Sequence, residues 1–386
     1  MDVTAIREET PGCQEVAHFN NAGAALMPRP VLDAVVAHLQ LESRIGGYEA
    51  ETREQKKIEH VYDAVASLIG CDRSEVAMIE NATRAWDMAF YSIPFQKGDR
   101  ILTAKTEYAS NYIAYLQIAK RIGVQVDVIP NDEHGQVSVE GFKNMLDERA
   151  KLVAITHVPT NSGLVNPAEE IGRVAKESGI LYLLDACQSV GQMPIDVDRI
   201  HCDMLSATGR KYLRGPRGTG FLYVRNSILH MLEPPFLDLH AATWMTRDQY
   251  EIREDARRFE NWESNLAGKI GLGVAIDYAL NLGLLAIQER IQFLAEMLRA
   301  GLKTVPGVIV RDPGLRRCGI VSFTMDGFEP EQIRAELCRS KINVWRSTIE
   351  STRLDMEERK LEKVVRASVH YYNTEEEVER LLTALR

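Results

Sequence analysis

The stretch Asp203-Met204-Leu205-Ser206-Ala207-Thr208-Gly209-Arg210-Lys211-Tyr212-Leu213-Arg214-Gly215-Pro216-Arg217-Gly218-Thr219-Gly220-Phe221-Leu222-Tyr223-Val224 sets two apolar runs around a segment rich in Gly and Pro. The pattern predicts a strand, an exposed turn and a second strand. Small residues at the end of the first run leave the backbone accessible. A lysine on such a turn is either a solvated cation or a nucleophile for carbonyl compounds, and Lys211 is that lysine.

Upstream of this stretch, apolar runs alternate with helix-length segments. Strands are predicted at 76–79, 100–104, 124–129, 152–156, 180–184, 203–206 and 220–224, with helices at 31–44, 53–69, 84–93 and 110–122. Gly46-Gly47 ends the first helix and Gly70 the second. Alternation of this kind predicts an α/β fold whose mostly parallel sheet is covered by helices on both faces. Ligands then belong at the carboxyl ends of the strands. Residues 230–264 read as irregular, with a charged and aromatic cluster at Arg257-Arg258-Phe259-Glu260-Asn261-Trp262-Glu263. Helices at 268–282 and 285–302 lead to strands near 308, 320, 342 and 364 and helices at 330–340 and 374–385, the last opened by a capping box from Thr374 to Glu377. The expected division is an N-terminal segment over 1–30 that supplies a loop to the ligand site, irregular from 18 to 30, a large ligand-binding domain over 31–284 and a small C-terminal α+β domain over 285–386.

The 386-residue chain has 45% hydrophobic and 26% charged residues, as a soluble globular protein does, and a net charge of −9. That charge argues against nucleic acid or an anionic membrane as the main partner. The first ten residues lack the basic and apolar regions of a signal peptide, so a cytoplasmic location is expected. Six scattered cysteines without a C-x-x-C pair predict reduced thiols, and the nine histidines carry no metal spacing. Neither a G-x-G-x-x-G after a strand nor a P-loop is present, so nicotinamide and nucleoside triphosphate chemistry lack their usual warrants.

Asp185 closes the apolar strand Ile180-Leu181-Tyr182-Leu183-Leu184, one strand before Lys211. A carboxylate there is a helix cap, a surface ion pair, or the partner of a buried cation or proton donor. An acid at one strand end and a lysine on the next turn match the needs of pyridoxal 5'-phosphate (PLP). The lysine forms a Schiff base with the aldehyde, and the acid keeps the pyridine nitrogen protonated. Asn81-Ala82-Thr83, ahead of the helix at 84–93, offers backbone donors and a hydroxyl for a phosphate, and Thr208 and Arg210 can complete that cradle.

Taken together, Asp185-Ala186-Cys187-Gln188-Ser189, Thr208-Gly209-Arg210-Lys211, Arg258-Phe259-Glu260 and Arg366-Ala367-Ser368-Val369-His370-Tyr371-Tyr372-Asn373-Thr374 resemble the class V aminotransferase family of fold-type I PLP enzymes, which includes cysteine desulfurases and selenocysteine lyases. The resemblance implies that Lys211 carries the cofactor, Asp185 pairs with its pyridine nitrogen and Gln188 bonds its phenolic oxygen. Tyr108 falls where relatives stack a histidine on the ring, and a phenol there can also move a proton. Thr160 or Asn161 matches a second contact to the phenolic oxygen. Asn21, Ala22, Gly23 and Tyr48 fall at substrate positions, and Arg366 matches the residue that grips the substrate α-carboxylate. It further implies a homodimer with shared active sites, in which the partner subunit lends a phosphate contact near Glu263 and Ser264, where the sequence departs from the usual pattern.

Desulfurases carry a mobile-loop cysteine that takes up sulfur, and the corresponding segment here, 344–355, contains none. Ser or Arg cannot replace a thiolate at neutral pH. Gly46-Gly47-Tyr48, Trp262-Glu263 and Ser351-Thr352-Arg353-Leu354-Asp355 are similar to hercynylcysteine sulfoxide lyases and to the PLP enzymes that process cysteine S-conjugates in lincosamide biosynthesis. The expected activity is β-elimination at the C–S bond of a cysteine S-conjugate or its sulfoxide, giving a thiol or sulfenate with pyruvate and ammonia. Arg346 and Arg353 either bind an anionic tail of that substrate or are solvated. Transamination, decarboxylating deamination and cysteine desulfuration remain the alternatives, while Lys211, Asp185 and Arg366 together argue against a non-catalytic binding protein.

Overall fold

Successive side chains of a strand point to opposite faces, so an unbroken apolar run must be covered on both sides. Strand Ala150–Thr156 shows the consequence: Leu152 and Ala154 enter one core, Val153 and Ile155 the other. The computed structural model, which describes residues 1–386, contains a central seven-stranded sheet. Its strands are β1 (Val76–Ile79), β2 (Arg100–Thr103), β3 (Gln125–Val128), β4 (Ala150–Thr156), β5 (Leu181–Asp185), β6 (Met204–Thr208) and β7 (Gly220–Val224). They lie in the order β1-β7-β6-β5-β4-β2-β3. Neighbours from β3 to β6 pair in parallel, and β7 runs antiparallel to both β6 and β1. The reversal follows from the link over 209–219, which is shorter than the crossover of about a dozen residues that a parallel neighbour requires.

The predicted strands agree with these within two residues at either end. Two expectations fail for a shared reason. The second helix spans Gly47–Ile69 rather than 53–69, and a hairpin of Ala242–Thr246 with Gln249–Ile252 occupies the stretch expected to be irregular. Both missed pieces stand largely in solvent, so neither carries the apolar periodicity from which an element is read. Gly46 alone separates the first two long helices, with φ of 98°. Gly47 begins the second helix rather than ending the first.

Helices Leu266–Leu282 and Leu284–Leu302 meet at 80° across Gly283, whose φ of 84° only glycine adopts freely. Beyond this bend lies an antiparallel sheet of Val308–Val310, Ile320–Met325, Lys363–Ser368 and Trp345–Thr348, in that order. The N-terminal segment is stitched to this region. Ala17–His18 pairs in parallel with Ile342–Asn343, and Asn20 bridges Ser368. One apolar core runs from the central sheet into the C-terminal strands without a break. No single helix is long and apolar enough to cross a membrane.

Arg214, for which the sequence offers no role, ties these parts together from the turn that carries Lys211. Its guanidinium is buried and donates to the Leu26 carbonyl at 2.8 Å, the Tyr371 hydroxyl at 2.9 Å and the Thr10 hydroxyl. It also lies over the Tyr372 ring at 4.6 Å. A φ of 60° holds its backbone in the left-handed region, a conformation that a non-glycine residue keeps only when its surroundings enforce it. Arg214→Leu is expected to lower unfolding stability by about 2–4 kcal/mol, because it leaves buried acceptors unmet. Urea unfolding of the variant checks this, and an unchanged midpoint would show that the clamp carries no energy.

Candidate active site

The carboxyl ends of β1, β2, β4, β5 and β6 open onto one cavity. It is lined by Asn81, Ala82, Thr83, Tyr108, Asn111, Thr156, Val158, Thr160, Asp185, Cys187, Gln188, Thr208, Arg210 and Lys211. Register explains the convergence: Thr156 lies beside Asp185, Asp185 beside Ser206, and Thr208 beside Gly220, which in turn lies beside Ile79. A Cβ at Gly220 would meet the Ala207 carbonyl at 2.5 Å and the Asn81 backbone at 3.1 Å, so glycine is what lets β7 begin against the Asn81 turn.

Helix Ala82–Tyr91 starts at the cavity. The Asn81 side chain caps it by accepting from the Arg84 amide at 3.0 Å, which leaves the Ala82 and Thr83 amides at an uncompensated helix start. Those amides, the Thr83 and Thr208 hydroxyls and the Arg210 guanidinium make a donor set suited to a phosphate. Arg210 is held in place by donating to the Gly23 carbonyl.

On β5, Asp185 is buried. Its Oδ1 accepts from the Cys187 amide at 2.9 Å and its Oδ2 from the Asn111 side-chain amide at 3.0 Å. Burial pushes its carboxyl above the ordinary range, while those two donors and the Lys211 charge pull it down. The Lys211 amine lies 3.2 Å from the Cys187 sulfur, which burial keeps protonated. Gln188 donates to the Ala22 carbonyl at 3.1 Å and approaches the Thr160 hydroxyl at 3.4 Å, and its side-chain oxygen is buried without a partner. Arg366, on strand Lys363–Ser368, adjoins the cavity by donating to the Thr160 hydroxyl at 2.8 Å. It is buried, makes no ion pair, has an unpartnered Nε and is pushed down to about 10 by burial. A buried guanidinium without a carboxylate is completed by an anion.

Most residues singled out in the sequence are therefore brought together, and several are not. Thr160 faces the cavity, whereas Asn161 turns away to donate to Thr352 at 2.9 Å and to the Thr348 carbonyl at 3.1 Å. Asn21 spends its side chain on the His18 and Ser368 carbonyls and Tyr372, so only the carbonyls of Ala22 and Gly23 reach site residues. Arg346 pairs with Glu331 at 3.5 Å and Arg353 with Glu357 at 3.1 Å, both on the surface, which is the solvated reading of each. Tyr48, Glu263 and Ser264 line a separate groove with Trp262. Sequence reasoning overlooked Glu107, Asn111, Thr156 and Val158. Glu107 precedes helix Ala109–Ile122, so no helical spacing marks it and Asn111 as neighbours in the sequence.

Glu107 is fully enclosed beneath Tyr108, and burial with the nearby Asp185 charge raises its carboxyl from 4.5 to about 7. Its folded-state value lies above the unfolded one, so its contribution to stability is complete below about pH 4.5 and is lost as pH rises through 7. Glu107→Gln is expected to flatten the pH dependence of cofactor-free protein between about pH 5 and about pH 8 by on the order of 2 kcal/mol. Urea titrations at both pH values measure this, and parallel profiles would refute it. A second expectation concerns Lys211: protein loaded with PLP should show a visible absorbance band that Lys211→Ala abolishes. An unchanged spectrum in that variant would place the covalent link elsewhere.

The family model for Aminotransferase class-V matches residues 17–381. A probable cysteine desulfurase of Methanothermobacter thermautotrophicus is 31% identical, over 99% of this chain and 96% of its own. The apo structure of a cysteine desulfurase from Thermococcus onnurineus NA1 superposes with a TM-score of 0.92 at 29% identity, covering 98% of this chain and 96% of that one. The cystine C-S lyase C-DES, solved with its reaction product cysteine persulfide, gives 0.88 at 25% identity over 97% and 98% of the two chains. A C-DES variant has also been solved with glycine covalently linked to the PLP cofactor. The amine, the carboxylate and the phosphate-type donor set of the cavity fit that cofactor. The match spans nearly the whole chain and the cavity carries the matching chemistry, so the chain belongs to the class-V aminotransferase family, with pyridoxal 5'-phosphate as its cofactor.

Proposed function

We propose that this chain is a carbon–sulfur lyase that eliminates the β-sulfur group of a cysteine S-conjugate or its sulfoxide. Supporting the reading is one juxtaposition: the cavity that holds the Lys211 amine adjoins the anion-seeking Arg366 through Thr160, while the segment over 344–355 holds no thiol. Bound PLP supplies the electron sink that makes an α-proton of an amino acid removable. Arg366 holds the substrate α-carboxylate by its guanidinium fork, which orients the α-carbon. Lys211 takes the α-proton on Nζ, and the sulfur group departs from the β-carbon with the electron pair of the C–S bond. With PLP bound, Asp185 would supply the negative charge that keeps the pyridine nitrogen protonated, and Tyr108, which lines the same cavity, would offer its aromatic ring to the cofactor. The three-carbon product hydrolyses to pyruvate and ammonia.

Cysteine desulfuration is the second reading, and the names of the relatives favour it. A desulfurase needs a thiolate to accept sulfur. Cys187 is the one thiol lining the cavity, and burial holds it in the protonated, poorly nucleophilic form. Incubation with a panel of cysteine S-conjugates, their sulfoxides, cystine and free cysteine separates the two. Elimination gives pyruvate, ammonia and the released sulfur fragment. Alanine with sulfur retained on the protein would overturn the lyase reading in favour of the desulfurase, and a keto acid that keeps its sulfur would make the enzyme a transaminase.

The same reading takes the enzyme to be a homodimer. Leu32, Val36 and Leu39 expose one stripe of helix Arg29–Ile45, and Tyr48 and Trp262 stand exposed beside Glu263 and Ser264. Apolar surface of this extent next to the groove suits a second copy, whose groove segment would complete the phosphate cradle. Light scattering is expected to give twice the 43.5 kDa chain mass. A monomer that binds PLP fully would show each site to be complete on its own.

A further inference from the structure

Below the cavity lies a second buried carboxylate that none of the steps above employs. Glu107 is 3% exposed and makes no ion pair. Its donors are the Thr103 hydroxyl at the end of β2 (3.0 Å), the Thr156 hydroxyl at the end of β4, the Tyr108 amide (2.9 Å) and the Asn111 side-chain amide (2.8 Å). Asn111 is itself buried within helix Ala109–Ile122. Its amide nitrogen has two hydrogens; one goes to Glu107 Oε1 and the other to Asp185 Oδ2 at 3.0 Å. Turning that amide over would press its oxygen against two carboxyl groups, so only one orientation is stable. The other Asp185 oxygen already accepts from the Cys187 amide.

We infer that Glu107 and Asn111 are positioning residues for Asp185: Glu107 grips the Asn111 amide so that its remaining N–H fixes the carboxylate that meets the PLP ring nitrogen. The inference rests on the reading that Asp185 faces that nitrogen. Charge supports the same arrangement. Asp185 from β5 raises the Glu107 carboxyl, and Glu107 in turn raises the phenols of Tyr182 from β5 and Tyr115 from the Asn111 helix; none of the three is a cation. Lys211 acts on Asp185. The lysine charge therefore biases a proton held between the two carboxyls toward Glu107 and the negative charge toward Asp185. A neutral Glu107 still accepts from Asn111 without setting a second anion beside the first.

The test loads protein with PLP labelled with 15N at the ring nitrogen and records its NMR shift together with cofactor affinity. Wild-type protein should show a protonated ring nitrogen. In Asn111→Leu the signal should move toward the unprotonated range and PLP affinity should fall about tenfold or more, the worth of one charge-assisted hydrogen bond. Glu107→Leu should behave as Asn111→Leu does, while Glu107→Gln, which keeps a neutral acceptor, should restore both readouts to within about twofold of wild type. A wild-type signal in Asn111→Leu, or a loss in Glu107→Gln equal to that in Glu107→Leu, would overturn the inference. Should Asn111→Leu fail to fold, Asn111→Ser carries the same expectation. Wild-type protein with a bound but unprotonated ring nitrogen would instead refute the role assigned to Asp185.

Discussion

A carboxylate buried at a strand end costs several kcal/mol unless donors meet it, and the working edge of the central sheet is arranged around meeting that cost at Asp185. The Cys187 amide satisfies one oxygen and the Asn111 side chain the other. Nothing in that pair of bonds neutralises the charge. A buried carboxylate met only by two neutral donors and a nearby amine, and facing a helix start, is a poor way to stabilise a fold. It is a good way to receive a ligand that brings a protonated ring nitrogen, an aldehyde and a phosphate, and PLP is such a ligand.

The fold supplies this edge through topology. Parallel strands deliver every carboxyl end to the same side, so residues far apart in sequence become neighbours there. The short link over 209–219 reverses β7, and its reversed start lies against the end of β6 and the Asn81 turn. Lys211 thereby sits on a turn closed at both ends by sheet pairing. Arg214 fastens the same turn to the N-terminal segment and the C-terminal tyrosines. The segment that brings Ala22 and Gly23 to the site is thus anchored by the element that carries the amine.

Much of this was legible in the sequence, and what was not has physical reasons. Core strands such as Leu181–Asp185 announce themselves because burial on both faces demands continuous apolar residues. Lys211, Asp185, Thr83 and Thr208 are placed by strand ends, which the same pattern locates. The hairpin at Ala242–Thr246 lacks a buried face and so lacks a signature. Asn161 and Thr160 could not be told apart, because one residue along a loop reverses where a side chain points. Arg346 and Arg353 read equally well as substrate ligands or as solvated cations, because the sequence does not show the carboxylates they lie beside, Glu331 and Glu357. Glu107 and Asn111 escaped notice because a polar residue buried under a site has the same one-letter code as one in water.

The central claim is that Lys211 is the point at which this cavity holds its cofactor. Borohydride reduction of PLP-loaded protein, followed by proteolysis and peptide mass spectrometry, tests it most directly. The account predicts a single phosphopyridoxyl adduct on the peptide that contains Lys211. An adduct confined to any other lysine, or none on saturated protein, would contradict it.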